Sequence, residues 1–286
     1  MSKLIWYVNG NFVEADEATL PVNDLGIVRG YGVFDALRTY DDVPFKLREH
    51  LERLQTSAHD IDLELPWSLG ELEEIVCATF DRNEIANASL RIIVTGGVAQ
   101  DLITPPDAPS LAVMVMPFKA RPPELYANGV KVITFEAVRE MPTVKKLNYI
   151  GAVMAMQKAK KANAFDAIYK DVEGWISEGT RANLFAVRGQ KLITPEKDVL
   201  NGITRNVFME IATNQMADEV EVVLGELHYD ELITADEVFI TSSGADGLPI
   251  VQVDEHQIGD GKPGPVTLKL QDLFRVYIDD YCKQKV

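Results

Sequence analysis

Lys145 and Lys146 stand side by side near the midpoint of the 286-residue chain, in the run Val144-Lys145-Lys146-Leu147-Asn148-Tyr149. A protonated lysine is inert. Desolvation, or a second cation beside it, lowers the pKa of the amine and frees it to attack a carbonyl carbon as a Schiff-base nucleophile. Adjacent lysines are also ordinary surface charge, so this pair takes its meaning from the residues around it. Glu178 closes an apolar strand pattern, Trp175-Ile176-Ser177-Glu178, just before Gly179. It could be a turn carboxylate or the proton acceptor of a buried ring nitrogen. Arg53 lies beside the apolar stripe of a helix pattern, Arg29 in a glycine-rich loop, and Arg91 inside an apolar strand pattern. Arginine's planar fork suits phosphate and carboxylate groups. An arginine in a buried strand needs a partner, either a structural carboxylate or a ligand carboxylate, because an unpaired buried charge is costly.

Two further stretches offer anion-binding groups. Leu200-Asn201-Gly202-Ile203-Thr204-Arg205-Asn206-Val207 reads as a loop entering a helix. The first N–H groups of a helix have no partner within it and bind anions, and Thr204 adds a hydroxyl. Thr204 could equally be a plain cap or first-turn residue. Thr241-Ser242-Ser243-Gly244 follows a strand pattern with the same capacity, though Ser and Gly also make ordinary turns.

Elements to position these residues can be read in order. Ile5 to Val13 is a hairpin pattern around Asn9-Gly10, where both central residues tolerate positive φ. Gly26, Gly30 and Gly32 put three glycines in seven positions, a loop leading into a strand through Phe34 to Arg38. Leu47, Leu51, Leu54, Ala58 and Ile61 form a helical stripe, and Leu72, Ile75, Val76 and Phe80 a second. Strand patterns follow at residues 90–95 and 111–116. Residues 117–129 hold three prolines and end in Asn-Gly, the best interdomain connection. A strand at 130–135, a helix over about 149–164, and a meander of four strands at 167–169, 175–178, 183–187 and 191–194 come next. A helix with Ile203, Val207, Phe208, Ile211 and Ala212 on one face, a strand at 237–240 and a terminal helix from Leu270 to Tyr281 complete the chain. The domain expectation is therefore 1–117, a connection over 118–129, and a larger domain over 130–286 that carries the lysine.

The length suggests two domains. Acidic residues outnumber basic ones 44 to 28, a formal charge of -16, which argues against nucleic acid as a general partner. Cys77 and Cys282 are the only cysteines, so no disulfide framework or cysteine metal site is expected. His50, His59, His228 and His256 contain no close ligand pair, and no metal is expected. No apolar run is long enough to cross a bilayer and no signal-peptide pattern opens the sequence, so no membrane partner and a cytoplasmic location are expected.

Taken in order, these segments resemble the class IV, fold type IV, aminotransferases that use pyridoxal 5'-phosphate. The resemblance rests on Gly26 to Arg38, His50-Leu51-Glu52-Arg53-Leu54, Lys145 to Tyr149, Ser177 to Phe185, Leu200 to Arg205 and Phe239 to Ser243, and runs over nearly the whole chain. It implies an α/β (α+β) two-domain architecture with mixed sheets and flanking helices. It implies that Lys145 forms the Schiff base and carries the substrate Cα proton, that Glu178 sits under the pyridine nitrogen, and that Tyr149 bonds the ring hydroxyl. Arg53, Ile203, Thr204 and Ser243 match the phosphate cup, and Leu200 a side chain against one ring face. Arg29, Arg91, Arg181, Phe34 and Gly244 fall in segments matched to the substrate side. Lys146 occupies the variable position after the lysine; along an extended chain neighbours point to opposite sides, so one of the two should reach the cofactor.

The resemblance further implies a ping-pong exchange between amino acids and 2-oxo acids such as 2-oxoglutarate or pyruvate, in a homodimer where Arg29 could act across the interface. Gly96-Gly97 stands where familiar D-amino-acid enzymes place a carboxylate-binding arginine. Tyr149 and Arg91 resemble the branched-chain branch, while Arg29 with the extra arginines resembles a non-standard D-amino-acid branch, which is slightly favoured. A branched-chain L-amino-acid aminotransferase, an aminodeoxychorismate lyase and a non-catalytic binding homologue are the alternatives.

Overall fold

The computed structural model describes residues 3–285. They fall into two compact units. The first takes the chain up to Lys119, returns for Val144–Tyr149, and takes the tail from Tyr281 onward; the second takes Ala120–Thr143 and Ile150–Asp280.

The first unit contains β1 (Ile5–Val8), β2 (Asn11–Glu14), α1 (Leu25–Val28), β3 (Gly32–Tyr40), β4 (Val43–Pro44), α2 (Leu47–His59), α3 (Leu69–Phe80), β5 (Ala88–Thr95) and β6 (Ser110–Pro117). Its six strands form one sheet in the order β2-β1-β6-β5-β3-β4, antiparallel at every pair. The expected hairpin is there, with Asn9 at φ 47° and Gly10 at φ 90°. The helical stripes become α2 and α3. Leu51 and Leu54 of α2 and Leu72 and Val76 of α3 lie fully buried with Leu37, Leu90, Ile92, Val113 and Val115 of the sheet. Ser68 and Glu71 close a capping box at the start of α3, satisfying two backbone donors that a helix otherwise leaves open. The glycine-rich loop holds the short α1, whose cap Asp24 accepts from Gly26 N at 2.7 Å, Thr95 Oγ1 at 2.8 Å and Ser110 Oγ at 3.0 Å.

The second unit contains α4 (Pro123–Asn128), β7 (Val130–Glu136), α5 (Ile150–Lys161), β8 (Asp166–Lys170), β9 (Trp175–Gly179), β10 (Asn183–Arg188), β11 (Lys191–Pro195), α6 (Ile203–Gln215), β12 (Glu221–Gly225), β13 (Leu227–His228), α7 (Tyr229–Leu232), β14 (Glu237–Ser242), β15 (Ala245–Val253), β16 (His256–Gln257) and α8 (Pro265–Lys285), whose last residues belong to the first unit. Ten strands form a mixed sheet in the order β12-β11-β10-β14-β15-β7-β8-β9-β13, with β16 on β15. Phe185 and Phe239 stack at 4.8 Å, and Phe208 of α6 packs on Phe274 of α8 at 4.9 Å. Small residues let α5 approach its strands: Ala155 and Ala159 are fully buried with Phe135 and Tyr169.

The structure departs from the expectations in four places. The meander does not run through: β9 pairs with β8 and β13, whereas β10 pairs with β11 and β14. Short-range pattern marks strands but not their distant partners. The lysine segment, expected with the second half, belongs to the first unit because it extends that unit's sheet. Phe34 N–H donates to Lys145 O at 2.9 Å, Leu147 N–H donates to Gly32 O at 2.9 Å, and Val144 is buried in the first core. The first unit reaches Lys119, and the proline-rich stretch carries α4 inside the second unit. Finally, Arg91 is exposed. It takes the outward position of a strand whose alternate residues Leu90 and Ile92 point into the core, so no buried charge needs a partner there.

Candidate active site

In the first unit, β3 supplies Phe34 and Asp35, which face opposite ways along the strand. Asp35 is fully buried and meets two residues of α2 that share one helix face at a spacing of three. Arg53 grips it with Nε to Oδ2 at 2.8 Å and Nη2 to Oδ1 at 2.8 Å, and His50 Nδ1 lies 2.7 Å from Oδ1. Burial opposes ionisation of Asp35, but the guanidinium and imidazole outweigh it and hold the carboxyl well below the usual carboxylate range. Burial pushes His50 below its ordinary pKa against the pull of Asp35, and Arg53 and Lys145 push the same way as burial. Asp35 is thus an acceptor only, and His50 donates to it from Nδ1.

Phe34 gathers the other side chains of this half. Lys145 Nζ lies 4.8 Å from its ring centroid, the Arg91 guanidinium carbon 5.2 Å, and the Tyr149 ring meets it edge-on at 5.3 Å. The Phe34 ring thus brings the Lys145 amine and the Arg91 guanidinium to one aromatic side chain. The backbone N–H of Lys145 donates to Ser57 Oγ at 3.2 Å, and an isolated bridge pairs Lys146 with Val33. Arg29 is exposed and donates to Val28 O at 3.1 Å. It joins none of these side chains by hydrogen bond or ion pair.

In the second unit, β9 delivers Glu178, 3% exposed. Its Oε1 accepts from Arg139 Nη1, and its Oε2 accepts from Asn183 Nδ2 at 3.2 Å and Leu200 N at 3.1 Å. A carboxylate offers about four acceptor positions, so three donors leave one. Asn183 also donates to Leu200 O at 2.8 Å, tying β10 to the loop before α6. A Cβ at Gly202 would stand 1.8 Å from Asn183 Oδ1, so glycine is required for the approach. Gly202 is the N-cap of α6 and no side chain caps this helix. Ile203, Thr204 and Leu200 are buried beside it, with Thr204 a first-turn residue and not the cap. Across the sheet, Asn183 pairs with Thr241, whose buried Oγ1 has no hydrogen-bond partner among the described residues. Ser243 and Gly244 form the turn after it. Arg181 is exposed, and its guanidinium makes no hydrogen bond or ion pair among the described residues.

These features fit pyridoxal phosphate. An uncapped helix start with an orphan hydroxyl close by in the sheet suits a phosphate group, and a donor-surrounded carboxylate with one position open suits a protonated ring nitrogen. The sequence alone marks no role for Asp35, Asn183 or Arg139, whereas Thr241 and His50 stand inside runs it does mark, the hydroxyl-rich loop 241–244 and the segment 50–54. Asp35 was findable as an acid inside an apolar strand, and His50 by its spacing to Arg53. Arg139 lies in an irregular stretch with no local signal.

No helix among the described residues is long and apolar enough to cross a membrane. The family profile for amino-transferase class IV matches residues 32–253. A protein of Methanocaldococcus jannaschii, provisionally named a branched-chain-amino-acid aminotransferase, is 35% identical over 279 residues, covering 94% of each chain. The D-alanine aminotransferase of Staphylococcus haemolyticus is 34% identical over 279 residues, covering 96% of this chain and 97% of its own. Among solved structures, a T.th. branched-chain amino acid aminotransferase with pyridoxamine 5'-phosphate superposes with a TM-score of 0.88 at 29% identity, over 97% of this chain and 95% of that one.

Proposed function

The chain belongs to the class IV aminotransferases, enzymes that use pyridoxal phosphate, and from that premise we propose that it exchanges amino groups between D-amino acids and 2-oxo acids. The observation that carries this reading is the set of arginines without carboxylate partners. The guanidinium groups of Arg91 and Arg181 make no ion pair among the described residues of a chain whose net charge is -16. Cations left unpaired amid so many carboxylates suit the carboxylate of a substrate.

When bound, pyridoxal phosphate supplies an aldehyde and an electron-accepting ring. In this reading Lys145 provides the amine and moves the proton at the substrate Cα. Glu178 keeps a proton on the ring nitrogen, and Tyr149 orients the ring through its hydroxyl. Arg53, fixed by Asp35, shares the phosphate with Ser243 and the first-turn N–H groups at Ile203 and Thr204. Leu200 covers a ring face. Arg91, Arg181, Phe34 and Gly244 receive the substrate, and Arg29 acts on it from the neighbouring copy of a homodimer. The exposed Ile150 (71%), Val153 (54%) and Met154 (55%) on one face of α5 support self-association, which light scattering tests. A cytoplasmic location, where free amino and 2-oxo acids are exchanged, is tested by cell fractionation.

The branched-chain L-amino-acid reading is the second one, favoured by the names of the Methanocaldococcus relative and of the solved structure. The visible spectrum of the cofactor-loaded protein separates the two. Bleaching by D-glutamate or D-alanine alone supports the D reading; bleaching by L-leucine or L-glutamate alone replaces it with the second.

A further inference from the structure

Arg121 sits in the proline-rich stretch, outside every segment assigned a role above. Its Nε donates to Gly244 O at 2.5 Å, and its guanidinium lies 4.8 Å from the Phe165 ring centroid. These two contacts fix the fork at the turn between β14 and β15. β10 and β14 run antiparallel with Asn183 opposite Thr241. Arg181 lies in the bend two residues before Asn183, and Ser243 and Gly244 lie in the turn two and three residues after Thr241. Arg121, fixed on that turn, feels the charge of Arg181. Burial pushes Arg121 below its ordinary pKa; Tyr126 pulls against it, the charge of Arg181 pushes with it, and Asp166 and Asp246 pull back.

No ion pair among the described residues neutralises Arg121 or Arg181, and the remaining hydrogen-bonding edge of Arg121 is unused. Asp166, the buried carboxyl next to Phe165, makes no ion pair with either: its Oδ1 accepts from Thr180 Oγ1 at 2.5 Å and Ala167 N at 2.7 Å, and its charge acts on Arg121 and Arg181 only through space. Burial also raises its pKa, which favours the uncharged form. Two like charges held together repel unless an anion is shared between them. A carboxylate carried away from the reacting carbon would supply that anion; a substrate whose one carboxylate stands beside the reacting carbon would not.

We propose that Arg121 is a specificity-determining residue which, with Arg181, receives the carboxylate that a dicarboxylic amino or 2-oxo acid carries away from its reacting carbon. The proposal rests on the reading of Arg181 as substrate-binding. Achiral acceptors test it without any assumption about D or L preference. The pyridoxamine-phosphate form of the enzyme is mixed with 2-oxoglutarate or with pyruvate, for the parent, R121Q and R181Q, and glutarate binding is followed by calorimetry. Glutamine keeps a side-chain N–H for Gly244 O and removes the charge. The expected result for R121Q is a fall of about tenfold or more in the preference for 2-oxoglutarate over pyruvate, expressed in KM, with glutarate binding weakened to match. An equal loss for both acceptors would assign Arg121 to holding the Gly244 turn and overturn the proposal, as would no change. An R181Q enzyme that matches the parent would overturn the underlying reading of Arg181. R181Q impaired beside an unaltered R121Q would sink this inference alone.

Discussion

Arg53 is held by Asp35 through two parallel hydrogen bonds of 2.8 Å each, and His50 closes the same carboxylate at 2.7 Å. The strand thus fixes the direction of the one helix arginine assigned to the phosphate. Asp35→Asn keeps the volume but leaves Arg53 without its counter-charge in a buried setting. A broken buried pair of this kind costs about 3–5 kcal/mol. The expected outcome is a lower melting temperature and weaker retention of pyridoxal phosphate, read by thermal denaturation and by cofactor fluorescence on dilution. A variant that melts and binds like the parent would remove Asp35 from the positioning role.

His50 gives this triad a pH dependence. Its folded pKa is lowered, chiefly by burial, so the unfolded chain takes up its proton first as pH falls. Its contribution is complete above the unfolded value of about 6.5 and declines as pH drops from there toward the folded pKa. Asp35 is likewise depressed, so its contribution is lost only in stronger acid, below about 3.9. Melting temperatures should fall as pH drops below about 6.5 in the parent and less steeply in His50→Gln. Parallel curves would show that other groups set the acid limb.

The neighbouring lysines separate by function. Lys145 Nζ lies over the Phe34 ring at 4.8 Å, while Lys146 follows it on an extended backbone bridged to Val33, where successive side chains alternate. Lys145→Ala is expected to abolish transamination and the yellow colour of the loaded protein. Lys146→Ala should keep both, with changes of a few fold. The reverse pattern would place the nucleophile one residue later.

The parts of this fold that sequence made legible are those governed by near neighbours. The stripe through Leu47, Leu51 and Leu54 announces α2, and Asn9-Gly10 announces the first hairpin, because 3.6-residue and two-residue periods are local properties. What stayed hidden depends on distant pairing. Nothing near Glu178 says that β9 pairs with β13 while β10 turns to β14. Nothing near Lys145 says that its segment would lie along Gly32 and Phe34. The candidate site follows the same division: Lys145, Glu178 and Thr204 stand out as candidates by type and setting, each beside an ordinary alternative, whereas Asn183, which ties Glu178 to the Leu200 loop, looks like any strand-end asparagine.

Arg139 makes the last and most demanding prediction. It donates to Glu178 from Nη1, lies on the wall of a cavity of about 200 Å³ with Trp175, Ser177 and Lys197, and keeps 16% of its side chain exposed. It is the one cationic donor among the three on that carboxylate; Asn183 and the Leu200 amide are neutral. Arg139→Met removes the charge and leaves Glu178 buried with neutral donors alone, a setting in which the ionised form is less favoured. A carboxylate less willing to ionise holds the ring-nitrogen proton less firmly. Transamination should then fall about tenfold to a hundredfold, the equivalent of one charge-assisted hydrogen bond. The pH profile of the cofactor absorbance should shift as well, which a purely structural defect would leave in place. Arg139→Lys retains the charge and should recover much of the loss. Full activity and an unmoved spectrum in Arg139→Met would mean that Asn183 and the Leu200 amide suffice to hold Glu178.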